Sequence, residues 1–68
     1  MKPYSSKDVL RLLHRHEWRI KAQHGSHVQL DHPAQQGKAT VPHPRHAVDP
    51  KTVRIILKQA GLSLEDLQ

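Results

Sequence analysis

The sequence predicts an α+β fold with the element order α-β-β-β-α, in which two helices pack on one face of a three-stranded antiparallel sheet. Three observations predict it. Apolar residues recur at helical spacing near each end of the chain, they alternate with polar residues in the middle, and turn-forming residues stand at each change of pattern. A chain of 68 residues has room for one small core, so we expect residues 1–68 to form a single domain.

The first helix is predicted over about residues 5–16. Ser5 and Asp8 fit the S-x-x-[DE] capping box that commonly opens a helix. Val9, Leu12 and Leu13 then recur at the spacing of one helix face. This pattern is typical of an amphipathic helix that buries one side against a sheet.

Three strands are predicted next, over about residues 17–23, 27–32 and 38–42, because apolar and polar residues alternate in each segment. In a strand with this pattern, one face is buried and the other meets water. The residues expected to face the core are Trp18, Ile20, Ala22, Val28, Leu30, Ala39 and Val41.

Strand register follows from the requirement that facing residues point to the same side of the sheet. We prefer a three-residue loop at 24–26, which sets Gln23 opposite His27, over a two-residue turn at 24–25. Gly25 is available for a positive φ in this loop. Between the second and third strands, the same requirement sets Leu30 opposite Ala39 and His27 opposite Pro42.

The second helix is predicted over about residues 50–60. Asp49 is a good N-cap, Pro50 suits the first helical position, and Gly61 is placed to end the helix. A short capped turn is expected at 63–67. The apolar stripe of the second helix consists of Val53, Ile56, Leu57 and Ala60.

Composition narrows the class of partner. Eleven Lys and Arg against six Asp and Glu give a net charge of +5, which favours a polyanion such as RNA or an acidic protein. Tyr4 and Trp18 are the only aromatic residues, too few for a surface that stacks several bases. With no cysteine and no long apolar segment, we expect a cytoplasmic protein without a membrane partner.

Seven histidines raise the question of a metal site. His14 and His16 would point roughly 200° apart on one helix, so they do not share a site. The pairs at 24 and 27 and at 43 and 46 leave a four-histidine site open. Small structural zinc sites usually contain cysteine, and catalytic ones a carboxylate or three spaced histidines, so no metal and no cofactor is expected.

His27 is the strongest candidate for catalysis. It projects from the outer sheet face directly after Gly25 and Ser26, where a tight turn lets backbone amides approach a phosphate. A neutral imidazole there would take the proton of a ribose 2′-hydroxyl as general base, which is metal-free RNA cleavage. His43 is a possible auxiliary group, and Ser26 lacks the base and acid that a serine nucleophile needs.

Positive charge is expected to help at this site. The proposed register brings Lys21, Lys38 and Arg45 toward His27, and these three cations are the predicted phosphate contacts. Arg11, Arg15, Arg54 and Lys58 are interpreted as cations on solvated helix faces. A rival hypothesis keeps the charge but not the chemistry: a non-catalytic module that binds duplex RNA by shape, because α-β-β-β-α is also the order of the double-stranded-RNA-binding fold.

Four segments together resemble the HicA family of toxin–antitoxin systems, which are small mRNA interferases. They are SSKDVLRLLHRHEW, KAQHGSHVQL, KATVPHP and TVRIILKQAGLS, in this order over nearly the whole chain. The resemblance implies a double-stranded-RNA-binding-like fold and RNA cleavage by the histidine of GSH, which is His27 here. It also implies a HicB-type antitoxin that covers the active surface. Many members have glycine where this chain has Glu17, so the turn after the first helix is expected to differ.

Overall fold

The computed structural model describes residues 3–67. Its elements are α1 (Ser6–Arg15), β1 (Arg19–His24), β2 (His27–Asp31), β3 (Ala39–Pro42), α2 (Pro50–Ala60) and a short 3₁₀ helix (Leu64–Leu67). The strands form an antiparallel sheet in the order β1-β2-β3. The predicted α+β fold class and element order are therefore confirmed. Over the described residues, no helix is long and apolar enough to cross a membrane.

Both long helices begin at the predicted caps. The Ser5 hydroxyl accepts from the Asp8 amide at 3.1 Å, and the Asp8 carboxylate accepts from the Ser5 amide at 3.0 Å, which completes the capping box. The Asp49 carboxylate accepts from the Lys51 amide at 2.8 Å at the start of α2. Gly61 ends α2 in the left-handed conformation with φ 71°. Local sequence therefore determines where α2 starts and stops.

The turn after α1 places Trp18 in the core. The amide of Trp18 donates to the Leu13 carbonyl at 3.0 Å and the amide of Glu17 donates to the His14 carbonyl at 3.0 Å, the pattern of a Schellman motif. Glu17 has φ 72°, the left-handed conformation that favours glycine. The backbone is therefore in the conformation a glycine would adopt, and Glu17 occupies it at a steric cost.

One hydrophobic core joins the two helices to the inner face of the sheet. Its buried members are Val9, Leu12, Leu13, Trp18, Val28, Leu30, Ala39, Val41, Val48, Val53, Ile56, Leu57 and Ala60. The helices pack mainly against β3. The predicted burial of Ile20 is wrong, because β1 lies at the edge away from the helices and leaves this side chain 62% exposed.

The register between β2 and β3 is the predicted one. Leu30 pairs with Ala39, Val28 with Val41, and His27 with Pro42. On β2 the side chains of Val28 and Leu30 are buried, and those of His27, Gln29 and Asp31 point to the opposite face of the sheet. This face, which carries His27, is the outer face of the sheet and is not covered by the helices.

The register between β1 and β2 differs from the prediction next to the turn. Ile20 pairs with Leu30 as predicted, but His24, not Gln23, pairs with His27. The register shifts between Ile20 and Ala22, which leaves Lys21 as an extra residue in a β-bulge. The loop therefore has two residues instead of three. Ala22 pairs with Gln29 and so lies on the outer face, contrary to its predicted inward position.

Candidate active site

The candidate active site is the end of the sheet where β1 turns into β2. Gly25 and Ser26 form a two-residue turn in which Gly25 has φ 60°. Positive φ at the first turn position only is the pattern of a type II′ hairpin turn, which takes glycine there. A Cβ added at Gly25 would meet no heavy atom within 4 Å, so the space beside the turn is open. A ligand can therefore approach this backbone closely.

His27 is the first residue of β2 and directly follows this turn. It is exposed, and its imidazole has no hydrogen-bond partner among residues 3–67. Its cross-strand neighbours are His24 on one side and Pro42 on the other. Both ring nitrogens are therefore available to a substrate.

His24 is the histidine closest in the register to His27. It is exposed as well, and its ring is equally without a partner in the described part of the chain. Residues that pair directly across two strands share a face and have Cβ atoms about 4.5–5.5 Å apart. The structure thus brings two free imidazoles together on the open face of the sheet.

The predicted register concealed this pair because it set Gln23 opposite His27. A signal for the correct turn was present in the sequence. Gly-Ser between two alternating segments is a typical two-residue hairpin loop, with glycine at the position that needs positive φ. Sequence reasoning missed it because an uninterrupted β1 would then turn Trp18 and Ile20 outward, and the bulge at Lys21 was not foreseen.

The side chain of His43 lies on the opposite face of the sheet from this pair. It follows Pro42, the partner of His27, and its amide donates to the Ser26 carbonyl at 2.8 Å. Its Nδ1 is 2.7 Å from the Ser6 hydroxyl oxygen. The half-buried His43 ring is therefore held toward α1, away from the outer face.

Ser6 is 1% exposed and joins three groups. Besides the contact to His43, its hydroxyl accepts from the Arg45 amide at 2.9 Å and donates to the Arg45 carbonyl at 3.2 Å. All of these hydrogen bonds are satisfied when Nδ1 of His43 is the protonated ring nitrogen and donates a hydrogen bond to the Ser6 hydroxyl. Nε2 of His43 is then the nitrogen without a partner in the described residues. No local pattern in the sequence predicts this contact, because Ser6 is far along the chain from His43 and Arg45.

A groove of about 320 Å³ opens beside His43. Two of the side chains that line it, Lys7 and Arg45, are cationic. The residues that line it are Ser5, Ser6, Lys7, His43, Pro44, Arg45 and His46.

The three predicted phosphate contacts are spread along the sheet. Arg45 follows Pro42 by three residues and lies at the His27 end; its guanidinium donates to the Pro44 carbonyl at 3.1 Å. Lys21 lies in the bulge of β1. Lys38 precedes Ala39, whose partner Leu30 is three residues from His27, or about 10 Å along β2. The structure therefore places Arg45 at the His27 end of the sheet and does not bring Lys21 and Lys38 to the same place.

The remaining four histidines lie outside the turn between β1 and β2. His14 and His16 are exposed at the end of α1, and His46 is exposed in the groove. Within residues 3–67, no three His, Cys, Asp or Glu side chains are grouped so that they could hold a metal ion. His32 lies beyond the far end of β2 and has both ring nitrogens in hydrogen bonds.

The class of protein is a small basic α+β domain with free histidines beside an open turn. The family model described as HicA toxin of bacterial toxin–antitoxin matches residues 6–62, so the chain belongs to the HicA toxin family. It is therefore the toxin of a toxin–antitoxin pair, and an antitoxin is its partner. A comparison with curated proteins gives no match.

Proposed function

We propose that this toxin is an endoribonuclease that cleaves mRNA without a metal ion, with His27 as general base. The observation that carries the proposal is the exposed imidazole of His27, free of partners in the described chain, next to a turn whose glycine leaves room for a phosphate. Membership of the HicA family supports the proposal. Because mRNA is the substrate, we place the site of action in the cytoplasm.

The reaction is an intramolecular transesterification. Neutral His27 removes the proton of a ribose 2′-hydroxyl, and the 2′-oxygen forms a bond to the adjacent phosphorus while the bond to the 5′-oxygen breaks. The products are a 2′,3′-cyclic phosphate and a 5′-hydroxyl end. An imidazole suits this role because it titrates near neutral pH and holds either state at low cost.

Charge on the phosphate is stabilised from two sides. Backbone amides of the turn at Gly25 and Ser26 approach it at close range, since no Cβ obstructs Gly25. Lys21, Lys38 and Arg45 supply positive charge along the path of the RNA backbone, where each neutralised phosphate also releases counterions. His43 is an auxiliary group at the edge of this site, on the side of the groove.

The partner is a HicB-type antitoxin that covers the His27 face. The net charge of +5 favours an acidic contact surface on such a partner. We expect addition of the purified antitoxin to suppress cleavage. Cleavage that continues unchanged in a saturated complex would contradict inhibition at this face.

The test of the function is an RNA cleavage assay in excess EDTA. We expect new 5′-hydroxyl and 2′,3′-cyclic phosphate ends with the wild-type chain, and loss of them with His27→Gln. His14→Gln is the matched control, because His14 is an exposed histidine in the last turn of α1 and is not part of the candidate active site. Stable RNA binding by the wild type without new ends would favour the non-catalytic module instead.

A further inference from the structure

Transesterification needs a second proton transfer, because the 5′-oxygen leaves as an alkoxide unless an acid protonates it. The proposed function gives the general base but no acid. The group required must be of a side-chain type that can carry and release a proton, lie on the same face as His27, and be free of internal hydrogen bonds.

His24 meets all three conditions. It pairs directly with His27 across the hairpin, so their side chains leave the same face of the sheet. Both residues are exposed, and neither ring has a partner among residues 3–67. Two rings whose Cβ atoms are about 5 Å apart can reach two different oxygens of one phosphodiester.

The other groups near the turn fit less well. His43 Nδ1 is in contact with Ser6 at 2.7 Å and the ring is half-buried on the side of α1. Arg45 carries a guanidinium, a side-chain type that does not release its proton in proteins. Pro42, the neighbour of His27 on β3, has no titratable group. Lys21 is three residues from His24 along β1, at the bulge.

We propose that His24 is the general acid of this nuclease, an inference that rests on the proposed function. As the bond between phosphorus and the 5′-oxygen breaks, the protonated His24 imidazole gives its proton to that oxygen, which leaves as a 5′-hydroxyl. His27 has meanwhile taken the 2′-hydroxyl proton. His24 ends neutral and His27 protonated, and exchange with solvent restores both.

The test separates acid catalysis from binding by changing the leaving group. The cleavage position in an RNA oligonucleotide is first mapped with the wild type. The oligonucleotide is then made with sulfur in place of the 5′-oxygen at that position. A thiolate leaves without protonation, so this substrate needs the base but not the acid.

We expect His24→Gln to slow cleavage of the oxygen substrate by about 100-fold or more and to cleave the sulfur substrate within about threefold of the wild-type rate. His27→Gln should lose both substrates, and His14→Gln should keep both. Retained activity of His24→Gln on the sulfur substrate also shows that this variant is folded and binds RNA.

Two results would overturn the inference while the nuclease function stands: His24→Gln with wild-type rates on both substrates, or with the same loss on both. The second result would mean that His24 binds RNA or supports the hairpin. A wild-type chain that cleaves neither substrate would overturn the proposed function and this inference together.

Discussion

The two ends of β2 carry the same side chain in opposite circumstances. At the start of the strand, His27 is exposed and its ring is free of partners in residues 3–67. Beyond the other end, His32 Nδ1 accepts from the Ala34 amide at 3.0 Å, and Nε2 contacts the His16 carbonyl at 3.0 Å. The His32 ring also meets Trp18 edge-on, with centroids 5.3 Å apart and an interplanar angle of 64°.

The difference teaches what makes a histidine available for chemistry. Because an amide can only donate, Nδ1 of His32 must hold a lone pair, and Nε2 must carry the proton that goes to the His16 carbonyl. Any proton transfer by His32 would break one of these bonds. His27 would lose no internal bond on protonation, which agrees with its proposed catalytic role, whereas the bonds of His32 indicate a structural one.

The largest expected effect is at the reactive end. His27→Gln should lower the rate of RNA cleavage by about 10² to 10⁴-fold and change the free energy of unfolding by less than about 0.5 kcal/mol. The measurements are a cleavage assay and urea unfolding of the same preparations. A large loss of stability would show that His27 is also structural and would remove the contrast with His32.

The converse is expected at the structural end. His32→Ala removes two hydrogen bonds and the contact with Trp18, so the free energy of unfolding should fall by about 1–3 kcal/mol. Cleavage by the folded fraction should be unchanged. His46→Ala, at an exposed position, is the control for stability and should stay within about 0.5 kcal/mol of the wild type. Equal stability of the two variants would contradict this role of His32.

Replacing Glu17 by glycine should stabilise the turn before Trp18, the residue that His32 contacts. The left-handed conformation costs an L-residue roughly 1–2 kcal/mol, and glycine avoids that cost but loses more chain entropy on folding. We expect Glu17→Gly to raise the free energy of unfolding by about 0.5–1 kcal/mol, measured by thermal or urea unfolding. Arg54→Gly, at an exposed position inside α2, should lower it by about 1 kcal/mol. A loss of stability in both variants would show that Glu17 is unstrained.

The smallest effect concerns Asp66, whose carboxylate interacts with the charge of His16. The pKa of Asp66 lies below its ordinary value, chiefly because the Ser63 amide donates to the carboxylate at 2.8 Å. The Ser63 hydroxyl and the charge of His16 lower it further, against an opposing effect of desolvation. Since the folded state has the lower pKa, the stabilisation is present above the ordinary pKa and is lost as the pH falls through the folded value.

An NMR titration of the Asp66 carboxyl carbon measures this directly. We expect a lower midpoint in the folded chain than in the same chain unfolded in urea. Coincident midpoints would mean that the contact to Ser63 does not persist in solution.

The register between β2 and β3 was predictable from the sequence, whereas the register between β1 and β2 was not, for a physical reason. Val28 and Leu30 on β2 and Ala39 and Val41 on β3 are all buried, so a slip of either strand by one residue would expose both buried side chains of that strand. On β1 the side chain of Ile20 is largely exposed, so little apolar burial constrains the strand. A bulge at Lys21 is therefore tolerated, and it moves His24 opposite His27.

Local signals in the sequence determined the order of the elements, the caps of both helices, the left-handed glycine of the hairpin and the exposed position of His27. Each of these depends on neighbouring residues and on the period of the apolar pattern. Only the tertiary structure decided the pairing of His24 with His27, the hydrogen bond between Ser6 and His43, and the hydrogen bonds of the His32 ring. These contacts join distant residues through polar side chains, and no hydrophobic period records which polar groups will meet once the core has closed.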